Sequence, residues 1–231
     1  MNQTIKSRLE SVRSAIIQAI SKYDRTDNSV QLLAVSKTRT PDEITAAYNC
    51  GQTCFGESYL QEALTKIEQL KETPIEWHFI GKVQSNKTRQ IAENFNWVHS
   101  IYTLKHAQRL NDQRPDTMAP LNICLQINID HEESKGGIEP EDAAELIQEI
   151  SKLPRLRLRG LMAIPSPTQD PEDQRVPFRE LRELRDRLAT KNIALETLSM
   201  GMSGDIEAAI AEGSTMVRVG TAIFGPRNYK Q

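Results

Sequence analysis

Eight short apolar runs, separated by charged helix-like segments, restrict the fold of this chain more than any other feature. The runs are Val30 to Lys37, Thr53 to Glu57, Trp77 to Gly81, Trp97 to Tyr102, Leu121 to Asn128, Leu156 to Pro165, Thr197 to Ser203 and Met216 to Gly225. Between them, helix-like segments begin near Pro41, Tyr59, Ser85, Leu104, Pro140, Val176 and Asp205, several opened by Pro or Ser at a first-turn position. A strand–helix repeat of this kind requires a parallel sheet covered by helices, and eight strands close naturally into a barrel. The expected class is α/β, a single (β/α)8 TIM-type barrel domain over residues 1–231. The competing arrangement is an open doubly wound sheet, but no G-x-G-x-x-G follows the first run, so its usual dinucleotide signature is missing.

Ahead of the first run, Ile5, Leu9, Val12, Ile16 and Ile20 fall at spacings of three and four and stop before Asp24-Arg25-Thr26-Asp27-Asn28. Residues 1–23 are therefore expected to form an extra N-terminal helix packed against something larger. The one long connection, Pro165 through Pro177, reads either as a mobile lid beside the barrel mouth or, by default, as a plain surface loop. The run from Arg179 to Arg187 alternates in sign at four-residue spacing and reads as a solvated helix face.

Charge and composition exclude several functions. With 29 basic against 31 acidic residues, no general electrostatic attraction to nucleic acid or an anionic membrane exists, and any anion site must be local. No stretch approaches the ~18–20 apolar residues of a bilayer span, and the N-terminus lacks the apolar core of a signal peptide, so a cytoplasmic protein is expected. Cys50, Cys54 and Cys124 have neither zinc nor redox spacing and are expected to be reduced. His78, His99, His106 and His131 lack metal-binding spacing, so no metal site is expected.

In a barrel of this type the chemistry sits at the C-terminal ends of the strands. Lys37 ends the face of the first strand shared with Leu33 and Val35. It reads either as a strand-end lysine that snorkels to solvent or as an amine able to form a Schiff base. Ser199-Met200-Gly201-Met202-Ser203-Gly204 leads into a helix start near Asp205, where free N–H groups and a hydroxyl can converge on a phosphate. Gly220 and Thr221 end the eighth run, and loops after strands seven and eight are where phosphate sites recur in this fold. Gly201 to Asp205 misses the G-x-S-x-G nucleophile elbow, which disfavours a hydrolase.

These residues also carry a resemblance. Ala34-Val35-Ser36-Lys37-Thr38, Phe55-Gly56-Glu57-Ser58-Tyr59, Trp77-His78-Phe79-Ile80-Gly81, Gln84-Ser85-Asn86-Lys87, Leu198 to Ser203 and Gly213 to Gly225 resemble the pyridoxal-phosphate homeostasis proteins, single-domain relatives of the alanine racemase barrel. The resemblance implies a fold type III barrel that binds pyridoxal 5'-phosphate (PLP) in intracellular vitamin B6 homeostasis without turnover of its own. It implies that Lys37 holds PLP as an internal aldimine, that Ser203, Gly220 and Thr221 hold the phosphate, and that Arg218 faces the pyridine nitrogen. His78 and Asn86 lie in motifs near the cofactor, and Ser58 stands where the family has asparagine. PLP-dependent apo-enzymes are candidate recipients, and a lone barrel with its extra helix over one end need not oligomerise, so a monomer is expected.

The chemistry of the residues agrees with a cofactor held more than used. Arginine can only donate, so at the ring nitrogen it would keep that nitrogen unprotonated and weaken the electron sink. A racemase also needs a second acid/base opposite the lysine, supplied in that architecture by another domain, whereas this chain is expected to end just after its last strand. The competing functions are a small racemase-like enzyme using Lys37 as base and a barrel enzyme that forms an imine with a sugar phosphate. Lys135 reads as a surface lysine near the mouth.

Overall fold

The structure is a computed structural model that describes residues 4–132 and 136–226; Lys135 therefore lies outside the described residues. Eight parallel strands close into a barrel in chain order. They are β1 (Gln31–Val35), β2 (Cys54–Glu57), β3 (Glu76–Phe79), β4 (Trp97–Ile101), β5 (Leu121–Gln126), β6 (Leu156–Met162), β7 (Thr197–Ser199) and β8 (Met216–Val219). Closure is made by β1 on β8, with Gln31 beside Met216 and Ala34 beside Val219. The helices are α1 (Ile5–Lys22), α2 (Pro41–Tyr48), α3 (Leu60–Gln69), α4 (Thr88–Asn94), α5 (Leu104–Gln113), α6 (Ala143–Ile150), α7 (Pro171–Leu188), α8 (Ile206–Ala211) and α9 (Thr221–Phe224).

Side-chain alternation divides each strand between two environments. Outward residues such as Ala34, Phe55, Trp77, Val98, Ile123, Leu198 and Val217 join the large core between barrel and helices. Inside the barrel, Leu33, Cys54 and Met216 form a small separate cluster with Ile80 against them. Polar side chains, among them His78, His99, Ser199 and Arg218, are buried in the same interior. His99 of β4 bonds Ser199 of β7, a contact between strands that are not neighbours, which only a shared lumen permits.

Helix α1 buries Leu9, Val12, Ile16, Ala19 and Ile20 and is capped by Thr4, which accepts from the Ser7 N–H. It packs on α2, α8 and α9. Since α8 has six residues and α9 four, α1 supplies the cover that these short helices cannot.

Three local expectations are corrected. Helix α7 begins at Pro171 instead of near Val176 and contains Pro177. A proline inside a helix loses a hydrogen bond and crowds the preceding turn, which is why Pro177 reads as a boundary. The Asp170 cap, Pro171 at the first position and burial of Phe178, Leu181 and Leu184 outweigh that cost. The eighth run breaks after Val219, and Thr221–Phe224 is a helical turn. The basic face of α7 is not simply solvated: Arg175, Arg179 and Arg182 converge on Glu212, whose side chain is 2% exposed.

Candidate functional site

A cavity of about 300 Å³ opens at the C-terminal ends of the strands. Its polar wall is Lys37, Ser58, Ser203, Arg218 and Thr221, with the backbone of Gly204 and Gly220. Its apolar wall is Val35, Ile80, Met162, Ile164 and Met202. No carboxylate belongs to this lining among the described residues.

The chain on both sides of Lys37 is held from behind the barrel. Glu57, fully buried, accepts from the Ser36 hydroxyl at 2.6 Å and from Lys66 at 2.8 Å. Lys66 also donates to the Ser36 carbonyl at 2.8 Å and to Glu62, and Glu62 accepts the Thr38 N–H at 2.6 Å. Burial pushes the Glu57 carboxyl up, with Lys66 pulling against it. Thr38 has φ +67°, a left-handed conformation that a β-branched residue adopts only when its surroundings enforce it. Arg39 then donates to the Gly225 and Pro226 carbonyls. Lys37 thus projects inward from a pinned strand end.

Arg218 reaches the cavity from β8 and is 4% exposed. One guanidinium nitrogen donates to the Ser199 carbonyl and, at 2.9 Å, to its hydroxyl; the other donates to the Ala163 carbonyl at 2.9 Å. Burial lowers its pKa to about 10, opposed by nearby Asp205, so the group stays charged at neutral pH. Behind it a buried chain crosses the lumen, from Ser199 Oγ to His99 Nδ1 at 2.8 Å and from His99 Nε2 to His78 Nδ1 at 2.9 Å. Burial lowers both histidine pKa values, so neutral imidazoles link the barrel floor to Arg218.

The wall beside Lys37 and Arg218 is made by the loops after β7 and β8. Asp205 closes the first loop by accepting the Met202 N–H. Gly201 has φ +97°, and a Cβ there would meet the Ala209 Cβ at 2.6 Å, so only glycine fits. The first N–H groups of α9 have no acceptor within the helix and lie beside Gly220 and Thr221.

The structure therefore brings Lys37, Ser203, Arg218, Gly220 and Thr221 to one cavity, with Ser58 at its edge. His78 lies beneath it and reaches it only through His99 and Ser199. Asn86 is exposed in the turn before α4 and is not among the lining residues. Sequence reasoning missed His99, Ser199 and the Glu57–Lys66 pair. The one available signal was Glu57 itself, a charge on the same strand face as Phe55 that burial obliges to find a partner.

The chain as a whole is similar to known proteins. The sequence matches the family described as alanine racemase, N-terminal domain, over residues 13–228. A Pseudomonas aeruginosa protein named pyridoxal phosphate homeostasis protein is 52% identical over 226 residues, 98% of this chain and 97% of that one. Its Escherichia coli K12 namesake is 49% identical over 230 residues, 98% of each. Among solved structures, PipY of Synechococcus elongatus with PLP bound superposes with a TM-score of 0.84 at 35% identity, covering 96% of this chain and all of that one.

Proposed function

The chain belongs to the alanine racemase N-terminal domain family and, within it, to the pyridoxal phosphate homeostasis proteins, and from that membership we propose that it binds PLP in the cavity around Lys37 as its part in cofactor homeostasis. The observation that carries the reading is the meeting of one lysine and one buried arginine with the loops after β7 and β8 in a cavity lined by no described carboxylate. Bound there, PLP supplies an aldehyde that an amine can hold covalently, a ring nitrogen and a dianionic phosphate. Lys37 is the covalent attachment point. Ser203, Thr221 and the backbone at Gly204 and Gly220 take the phosphate, and Arg218 donates to the ring nitrogen. The volume, at the low end of the ~300–1,000 Å³ of small-molecule sites, suits one cofactor.

Holding without turnover follows from the same residues. Arg218 gives the ring nitrogen a hydrogen bond but cannot protonate it, which leaves the ring a poor electron sink. Apart from Lys37, the described lining offers no carboxylate, imidazole, thiol or phenol to exchange a proton with a bound substrate. The three free thiols suit a reducing compartment, and we take the working form to be a cytoplasmic monomer that releases PLP to PLP-dependent apo-enzymes. Light scattering and the rate of apo-enzyme activation by the loaded protein test those two points.

The decisive experiment is the absorption spectrum of the purified protein followed by borohydride reduction and peptide mapping. The expected result is a single reduced adduct on Lys37, absent from Lys37→Ala, which keeps its fold and a weaker noncovalent affinity for PLP. An adduct at the wild-type level on another lysine in that variant would overturn the attachment. Racemisation or deamination of amino acids above the rate with free PLP would replace this reading with the racemase-like one.

A further inference from the structure

At the other end of the barrel interior, three side chains that the proposed cofactor site does not use come together. Cys54 opens β2 and Glu76 opens β3, paired in register, and His78 follows on the same inward face of β3. Their Sγ, carboxylate oxygen and ring nitrogen lie within 4.8 Å of one another. The Nε2 of fully buried His78 has no hydrogen-bond partner. Glu76 Oε1 approaches it to 3.2 Å as an ion-pair contact. A buried ring nitrogen with that contact alone, in a cluster that also holds a thiol, is poorly satisfied unless something sits among the three groups.

A metal ion would resolve that arrangement. Tetrahedral zinc, with bonds of ~2.0–2.3 Å, sets its ligand atoms roughly 3.3–3.7 Å apart, and the Nε2–Oε1 separation of 3.2 Å falls just short of that range. With all three ligand atoms within 4.8 Å of one another, Cys54 needs to close on the other two by at most about an ångström. We propose that Cys54, Glu76 and His78 form a zinc site in the floor of the barrel, distinct from the cavity at its mouth.

Three further features support it. His78 carries its other ring nitrogen at 2.9 Å from His99 Nε2, the kind of outer partner that orients a ligating imidazole and fixes its proton on the far nitrogen. Gln31 donates to Cys54 Sγ at 2.9 Å, a bond that becomes charge-assisted once the sulfur is a thiolate. A thiolate, a carboxylate and a neutral imidazole bring the charge of Zn2+ to zero, which is what an ion in a poorly solvated interior needs. Mixed sulfur, nitrogen and oxygen donors favour zinc over the all-oxygen preferences of magnesium and calcium. A groove lined by Arg13, Ile16, Gln31, Thr53 and Cys54 opens on this end, giving the ion a route in and a water a fourth position. On binding, the Cys54 thiol gives its proton to solvent, so affinity falls as pH falls.

The test uses the protein as purified, dialysed free of metal with a phosphine reductant, and titrated with Co2+ and then Zn2+. The expected result is one equivalent of cobalt with the visible bands of a four-coordinate site, to the red of any cofactor absorption, and stoichiometric displacement by zinc. Cys54→Ser and Glu76→Gln should each weaken binding by more than roughly tenfold, the scale on which even outer partners act. His131→Ala, a surface histidine, should leave it unchanged. Six-coordinate cobalt spectra, or wild-type affinity in both ligand variants, would overturn the site. If Cys54→Ser does not fold by circular dichroism, Glu76→Gln decides alone, because that side chain is 41% exposed.

Discussion

Arg218 faces the cavity while its guanidinium is already committed to the Ser199 and Ala163 carbonyls and the Ser199 hydroxyl. Its replacement therefore has two consequences that separate experimentally. Arg218→Gln should weaken PLP binding by roughly ten- to a hundredfold, the ~1.5–3 kcal/mol of a charge-assisted hydrogen bond. It should also lower unfolding free energy by ~1–3 kcal/mol, since glutamine cannot reach both buried carbonyls. Titration by absorbance and urea denaturation read the two effects. A loss of stability with unchanged affinity would make Arg218 a strut of the lumen and not a cofactor contact. Arg218→Glu, which on chemical grounds would best protonate the ring nitrogen, is the less informative variant, because its carboxylate would lie against two carbonyl oxygens. The identity of Arg218 was legible in the Val217-Arg218-Val219-Gly220-Thr221 motif; its hold on β6 and β7 was not, since neither partner lies near it in the chain.

The α7–α8 unit shows how element boundaries and charge patterns mislead together. A helix starting near Val176 would leave Arg175 in a loop, whereas the start at Pro171 puts Arg175, Arg179 and Arg182 on one face over the end of α8. There Glu212 accepts from Arg175 at 2.8 Å and Arg179 at 3.0 Å, with Arg182 at 3.1 Å. Burial works to raise its carboxyl, but the arginines outweigh it and hold Glu212 below the usual carboxylate range. A depressed folded-state pKa stabilises the protein above the unfolded value near 4.5 and loses that contribution as pH falls through the folded value. Glu212→Gln should accordingly cost ~1–3 kcal/mol at neutral pH and flatten the acid limb of the stability profile below about pH 4.5. Urea melts at several pH values check this. An acid limb as steep as wild type would show that the clamp carries no linkage.

For the whole molecule, closure is the property that matters, because a barrel without edges has no strand that can fray alone. Cys124 on β5 is fully buried and its thiol is pushed up to about 12 by burial. Alkylation of Cys124 in urea should follow the circular dichroism transition with the same midpoint, while half-buried Cys50 reacts under native conditions. Saturating PLP should shift both curves for Cys124 upward together. Native-state labelling of Cys124 would reveal a local opening of the barrel. By itself the sequence determined the eight strands, the apolar stripe of α1, the strand face that Lys37 shares with Leu33 and Val35, and the serine- and glycine-bearing loops after β7 and β8, because period-two alternation, helical stripes and motif spacing are local properties of contiguous residues. Only the tertiary structure decided that α7 runs through Pro177, that Glu57 is buried against Lys66, that three arginines share Glu212, and that His78, His99, Ser199 and Arg218 form one chain across the lumen. Those pairings join residues far apart in sequence, and which of them meet depends on the stagger and closure of the barrel, which no local window of the chain contains.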